Sequence, residues 1–241
     1  VSGVLAAIAG FLVEPVSSVE PNESPPGVQP DRAWTGAGRP AVAVAGLAPR
    51  CGTTTVARAL AAELALRDPG GVAVASTDAI AGGGIPLGTA TAGRLARALS
   101  RALPVDTRPA GRICLSASGA PDAAALVDFA RDLAPLVLDV SDPSGTASVA
   151  SLVDAVVLVG APDVEPALAT VLSDSLRRVG PEPIVVLNRD RDRDGAGHWP
   201  GRCALTLPDS RLGAHLALAG REPRGDLGRA IAQLADLVTD V

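Results

Sequence analysis

The sequence predicts an α/β fold, a doubly wound, mostly parallel sheet of about seven strands with helices on both faces. Three observations predict it. Short continuous apolar runs recur along the chain, as strands buried on both faces require. Stretches of helical length separate them. A Gly- and Thr-rich turn follows the first run, and in such sheets the functional loops lie at the carboxyl ends of the strands.

The elements follow in order. AVAVAG (41–46) is the first buried strand, and VARALAAELALRD (56–68) is a helix ended by Pro69-Gly70-Gly71. VAVAS (72–76) is the second strand, AGRLARALSRAL (92–103) a helix and RICLSA (112–117) a strand. DAAALVDFARDL (122–133) is a helix and PLVLDV (135–140) a strand. DAVVLVG (154–160) is a strand, EPALATVLSDSLRRVG (165–180) a helix and PIVVLN (183–188) a strand. RCALTLP (202–208) is a short last strand, and helices around 210–220 and 225–239 close the chain. The closing helix carries apolar residues at helical spacing with acidic partners, so it packs on the sheet rather than on a membrane surface, where basic helices are the rule.

Ahead of this domain (40–241), residues 1–39 read differently. Gly3 to Val13 is apolar but too short to span a bilayer, and it lacks the basic flank of a signal peptide. Residues 14–40 are rich in Pro, Ser, Glu and Gly, a composition that cannot bury enough apolar surface to fold alone. The expectation for 1–39 is a disordered tail, with Trp34 free or pinned to the domain.

Composition narrows the function. The chain has 241 residues, 47% of them hydrophobic but only 2% aromatic, so its core is built from Ala, Val, Leu and Ile. All 21 basic side chains are Arg; there is no Lys. Chemistry that needs a lysine amine is excluded. A net charge of −5 argues against a dedicated nucleic-acid binder and gives no specific nucleic-acid signal. Cys51, Cys114 and Cys203 lack metal-ligand or disulfide spacing. So few cysteines suit a reducing cytoplasm, with any membrane contact peripheral and made through a partner.

The turn after the first strand, AGLAPRCGTTTVARAL, is where phosphates dock, because free N–H groups and the positive helix end attract anions. Arg50, Cys51, Gly52, Thr53, Thr54 and Thr55 form the candidate phosphate loop. Gly52 permits close backbone approach, and Thr54 or Thr55 could offer a hydroxyl to magnesium. The pattern G-x-x-x-x-G-K-[ST] is not met: its first Gly falls on Leu47 and its Lys on Thr53. A simple helix cap with Thr is the alternative reading of the turn.

At this point the chain resembles the MinD/ParA family of P-loop ATPases, with the signature K-G-G-x-G-K-[ST]-[ST]. Aligned on Gly52, Ala48 and Thr53 stand where that family has its two lysines. The resemblance continues at STDAIAGGG, placing Asp78 near the γ-phosphate and the attacking water as the catalytic candidate. LVLDVSDPSG (136–145) resembles the family's strand and magnesium-side loop, with Asp139 or Asp142 in that role. VVLNR (185–189) places Asn188 where an amide reads adenine, and LPDSRLGAHLALAGREP (207–223) lays Pro208 and Asp209 over the base. The alternative reading makes Asp78 and Asp139 turn or cap residues and Asn188 a turn support.

The resemblance covers about 40–240. It implies ATP or ADP with Mg2+ as cofactors, and a homodimer or a heterodimer with a related ATPase. It implies a switch or positioning function with weak or no hydrolysis, since both lysines are absent. The family's pilus-assembly branch is similar in tolerating loss of the P-loop lysine. Two alternatives stay open: a pseudo-ATPase that binds no nucleotide and pairs with an intact homologue, and an active ATPase that uses Arg50.

Other features carry less. Asp190, Asp192 and Asp194 imitate a calcium loop, but Gly201 stands at its twelfth position where a bidentate Glu is needed. His198 and His215 have no ligand-spaced partner. Ser116 and Ser118 lie near a strand end without the G-x-S-x-G of a hydrolase elbow.

Overall fold

The computed structural model describes residues 39–78, 80, 87–118, 122–140, 145–190, 199 and 203–240. The tail expected over 1–39 lies outside these residues except for Arg39. Asp142, Asp192, Asp194, His198 and Gly201 lie outside them as well.

Eight strands form one sheet in the order β3-β4-β2-β5-β1-β6-β7-β8. They are β1 (Ala41–Gly46), β2 (Ala73–Thr77), β3 (Asp106–Ala110), β4 (Ile113–Ala117), β5 (Leu136–Val140), β6 (Ala155–Gly160), β7 (Ile184–Asp190) and β8 (Cys203–Pro208). The helices are α1 (Thr53–Arg67), α2 (Ala90–Ala102), α3 (Ala123–Arg131), α4 (Thr146–Ala150), α5 (Ala167–Leu176), α6 (Arg211–Leu218) and α7 (Gly225–Thr239). Each strand predicted from the sequence is present, and two elements were not predicted. α4 is a single short stretch in a loop. β3 pairs antiparallel with β4 at the sheet edge. Its sequence, DTRPA, is polar and includes Pro109, which an edge strand tolerates because its outer side needs no hydrogen bonds.

β1 is the centre of the sheet and is buried throughout. It runs parallel to β5 on one side and β6 on the other. Strand alternation sends its side chains to two separate cores. Val42 and Val44 join residues of α1, α6 and α7 on one face. Ala41, Ala43 and Ala45 join residues of α2, α3, α4 and α5 on the other. The helices therefore cover both faces, as the continuous apolar strands demand.

Small strand residues let α1 sit close to the sheet. Val56, Ala57, Leu60, Ala61, Leu64 and Ala65 of α1 are all buried. Full burial of a leucine such as Leu60 is worth about 1.5–3 kcal/mol. Arg67 ties the far end of α1 to α7, with Nη1 on Asp236 at 2.7 Å and Nη2 on the Ala232 carbonyl at 2.7 Å. Near the start of β1, Arg39 Nε pairs with Asp68 at 2.5 Å. The strand order turns at β1, with β5, β2 and β4 on one side and β6, β7 and β8 on the other. Ligands of open α/β sheets bind at such a turning point, outside the carboxyl ends of the strands.

Candidate functional site

The site begins where β1 ends. Gly46 is followed by a tight loop anchored at Leu47, whose N–H donates to the Val159 carbonyl of β6 at 2.9 Å. Thr53 opens α1, and its Oγ1 lies 2.5 Å from where a Cβ on Gly46 would stand. Only glycine leaves room there. Gly52 caps the helix in a left-handed conformation, with φ 86°, and makes no side-chain cap bond. Its carbonyl accepts the Val56 N–H at 3.0 Å. The N–H groups of Gly52, Thr53, Thr54 and Thr55 donate to no other described residue. Successive unpaired amides at a helix N-terminus form a concave anion site.

The end of β7 grips this loop at two consecutive carbonyls. Asn188 Nδ2 donates to the Cys51 carbonyl at 2.8 Å, and Arg189 Nη2 donates to the Arg50 carbonyl at 2.9 Å. A Cβ on Gly52 would overlap the Asn188 amide. Asn188 is buried, and Arg189 is exposed in a strand otherwise buried. The β7–β8 register shifts between Asn188 and Asp190, a bulge that breaks strict alternation and turns Arg189 outward. Cys51 is buried, and burial pushes its thiol up, so it serves packing rather than reaction.

On the other side of α1 stands Asp139, opposite Val44 in the β1–β5 register. It is only 6% exposed, and neither carboxylate oxygen has a hydrogen bond of ordinary geometry to a described residue. Burial pushes its carboxyl above the ordinary range. Thr54, Arg58 and Thr77 favour the ionised form, and Asp78 opposes it. Thr54 and Arg58 are one turn apart on α1 and so share a face. Arg58 also donates to the Leu218 carbonyl at 3.0 Å. A small open pocket at the ends of β2, β4 and β5 is lined by Ser76, Asp78, Ser118 and Asp139, among others. Ser76 Oγ and Ser118 Oγ are 2.5 Å apart, and the Ser116 hydroxyl is buried without a hydrogen bond to a described residue.

Neither a protein-family model nor a curated protein matches the sequence. Solved structures do. A ParA family ATPase from Chlorobium tepidum matches at TM-score 0.57 and 14% identity, over 85% of this chain and 98% of its own. The septum site-determining protein MinD of Pyrococcus horikoshii, complexed with Mg-ADP, matches at TM-score 0.55 and 15% identity, over 82% of this chain and 95% of its own. The chain has the fold of the MinD and ParA ATPases. The same fold serves other chemistry: cobyrinic acid a,c-diamide synthase of Mycobacterium smegmatis, with a bound ATP analogue and magnesium, matches at TM-score 0.52 and 15% identity, over 82% of this chain and 93% of its own. Such identities establish the fold, and function has to be argued from the site.

In this MinD/ParA-like fold the residues singled out from the sequence fall into three groups. Arg50 to Thr55 form the loop, with Asn188 fastened to it. Asp78 and Asp139 line the pocket on the β5 side, and Thr54 lies close enough to Asp139 to favour its ionised form. Pro208 and Asp209 follow at the end of β8, beyond β7 in the sheet, with Pro208 opposite Asp190. Sequence reasoning missed Arg58 and Arg189. Helical spacing from Thr54 could have found Arg58. Nothing local announced Arg189, because its contact with the loop spans 139 residues.

Proposed function

We propose that this chain is a nucleotide-binding switch of the MinD/ParA type, a positioning or regulatory protein with weak or no ATP hydrolysis. The observation that carries the reading is the pairing of an amide-lined loop with a buried Asp139 that lies near Thr54 and has no hydrogen bond of ordinary geometry to a described residue. A buried carboxylate without a partner is costly, and a functional ligand is one reason to keep it. The donor set fits a hard cation: magnesium takes oxygen ligands and is held by one or two carboxylates together with phosphate oxygens. Thr54 and Asp139 would hold it, with Asp78 at the pocket mouth and Asp142 as a further candidate. Magnesium would neutralise charge on the nucleotide phosphates.

Phosphate binding falls to the amides of Gly52 to Thr55 and to Arg50. Adenine would lie toward Asn188, Pro208 and Asp209. Ala48 and Thr53 leave the loop without an ammonium group, which removes electrostatic stabilisation that a transferring phosphoryl group needs. That loss supports binding over rapid turnover. The proposed assembly is a homodimer or a heterodimer with a related ATPase, in the cytoplasm and at a membrane only through a partner. Among the described residues no helix is long and apolar enough to cross a membrane.

Equilibrium titration with a fluorescent ATP analogue and magnesium tests the reading. Saturable binding at or below millimolar ligand with little turnover is expected. No saturable signal would refute the switch and leave the second reading, a pseudo-ATPase that acts by pairing, which the missing lysines favour. Turnover that collapses in Arg50→Ala would establish instead an active ATPase using Arg50.

A further inference from the structure

Among the described residues, two that are not glycine have positive φ, Arg50 at 66° and Arg189 at 60°. They are bonded to each other, Arg189 Nη2 donating to the Arg50 carbonyl. Left-handed backbone is sterically disfavoured for a long side chain, and such residues persist only where their surroundings hold them. Two of them in contact, at the mouth of one loop, mark a conformation that is imposed.

The charges agree. Both side chains are arginine, and Arg50 has no ion pair with a described residue. Arg189 has only a long one, 3.8 Å to the exposed Asp163. The Arg189 guanidinium thus lies on the loop backbone, Arg50 is exposed two residues before the open amides that begin at Gly52, and Asp139, without a hydrogen bond of ordinary geometry to any described residue, lies near Thr54 at the same loop-helix junction. Guanidinium groups match phosphate oxygens in geometry and stay charged at any working pH.

We propose that Arg189 is the positioning residue of the phosphate loop: it holds the Arg50–Gly52 turn in its left-handed form and thereby sets Arg50 against the terminal phosphates of a nucleoside triphosphate. The phosphate contact rests on the nucleotide reading above; the hold on the turn does not. Asn188 fixes the next carbonyl, so the β7 end keeps both carbonyls turned away and the following amides open. The cation that this chain lacks at Ala48 and Thr53 is supplied from position 50 and braced from β7.

Four variants test this: Arg189→Ala, Arg189→Lys, Arg50→Gly, and the double variant Arg189→Ala with Arg50→Gly. In the nucleotide-free protein, loss of one charge-assisted hydrogen bond should speed amide exchange over 47–56 about tenfold in Arg189→Ala, with partial recovery in Arg189→Lys. Unchanged exchange in Arg189→Ala overturns the proposal. Titration with the fluorescent ATP analogue should show about tenfold weaker binding in Arg189→Ala. In the Arg50→Gly background, where glycine relaxes the turn and the guanidinium is gone, the same change should weaken binding less than about twofold. Additive losses would mean that Arg189 acts independently of Arg50 and would refute positioning. No saturable binding by the unmodified chain, with the exchange effect intact, would refute the nucleotide reading and the phosphate contact with it.

Discussion

Replacing Asp139 by Asn should make the nucleotide-free protein more stable. The side chain is 6% exposed, and both oxygens lack a hydrogen bond to a described residue. Leaving a buried polar group unsatisfied costs about 1–3 kcal/mol, and more when it is charged. Arg58 offsets part of that cost, and removing the carboxylate deprives Arg58 of its favourable neighbour. The net gain expected at pH 7 is therefore about 1–2 kcal/mol, or roughly 2–8 °C in Tm for a domain of this size. Asn keeps the shape of Asp and adds donors for the Thr54 and Thr77 hydroxyls. Burial raises the Asp139 carboxyl above its ordinary 3.8, so the folded chain keeps the proton to higher pH than the unfolded chain does. Stability of the parent protein should then rise as pH falls through the folded value, levelling off once the unfolded group is protonated too. The Asn variant should lack that rise. Thermal unfolding from pH 7 to 4, with and without a magnesium–ATP analogue, measures all of this. The variant should gain Tm alone and lose the extra stabilisation that the magnesium–nucleotide gives the parent. A variant less stable than its parent at pH 7 would refute the reasoning, because it would mean that the carboxylate is satisfied in the fold.

Thr53→Lys should tighten binding of the ATP analogue, since it returns an ammonium group to the loop; unchanged affinity would show that the loop does not follow P-loop geometry. Gly52→Ala should cost about 1–3 kcal/mol in denaturant unfolding, because its φ of 86° is strained for alanine and the added methyl meets Asn188. Gly160→Ala should cost a similar ~1–3 kcal/mol and shift tryptophan emission, because the new methyl enters the Trp199 ring. Cys114, fully buried with its thiol pushed up to about 12, should resist alkylation in the native protein at pH 8 and react once unfolded, as mass spectrometry residue by residue will show.

The apolar runs and the helical stretches between them were sufficient to read the architecture. A strand buried on both faces has to be continuous in apolar residues; β1 and β6 are throughout, and β5 and β7 are over Leu136–Leu138 and Ile184–Leu187, before the polar residues at their carboxyl ends. β3 escaped because an edge strand has no such requirement; DTRPA becomes a strand only when β4 offers it a partner. The loop and Asp139 were legible for a related reason, since a doubly wound sheet places its functional groups at strand ends next to recognisable turns.

What joins those groups was not legible. Local sequence determined that Gly52 would precede a helix and that no lysine would stand in the loop. Only the tertiary structure decided that Asn188 and Arg189 would fasten consecutive loop carbonyls, and that Asp139 would be buried near Thr54 and Arg58 without a hydrogen bond of ordinary geometry to a described residue. The physical reason is range. Periodicity and turn chemistry act over a few residues, whereas these contacts join positions far apart in the chain that meet only once β1 is enclosed by its neighbours.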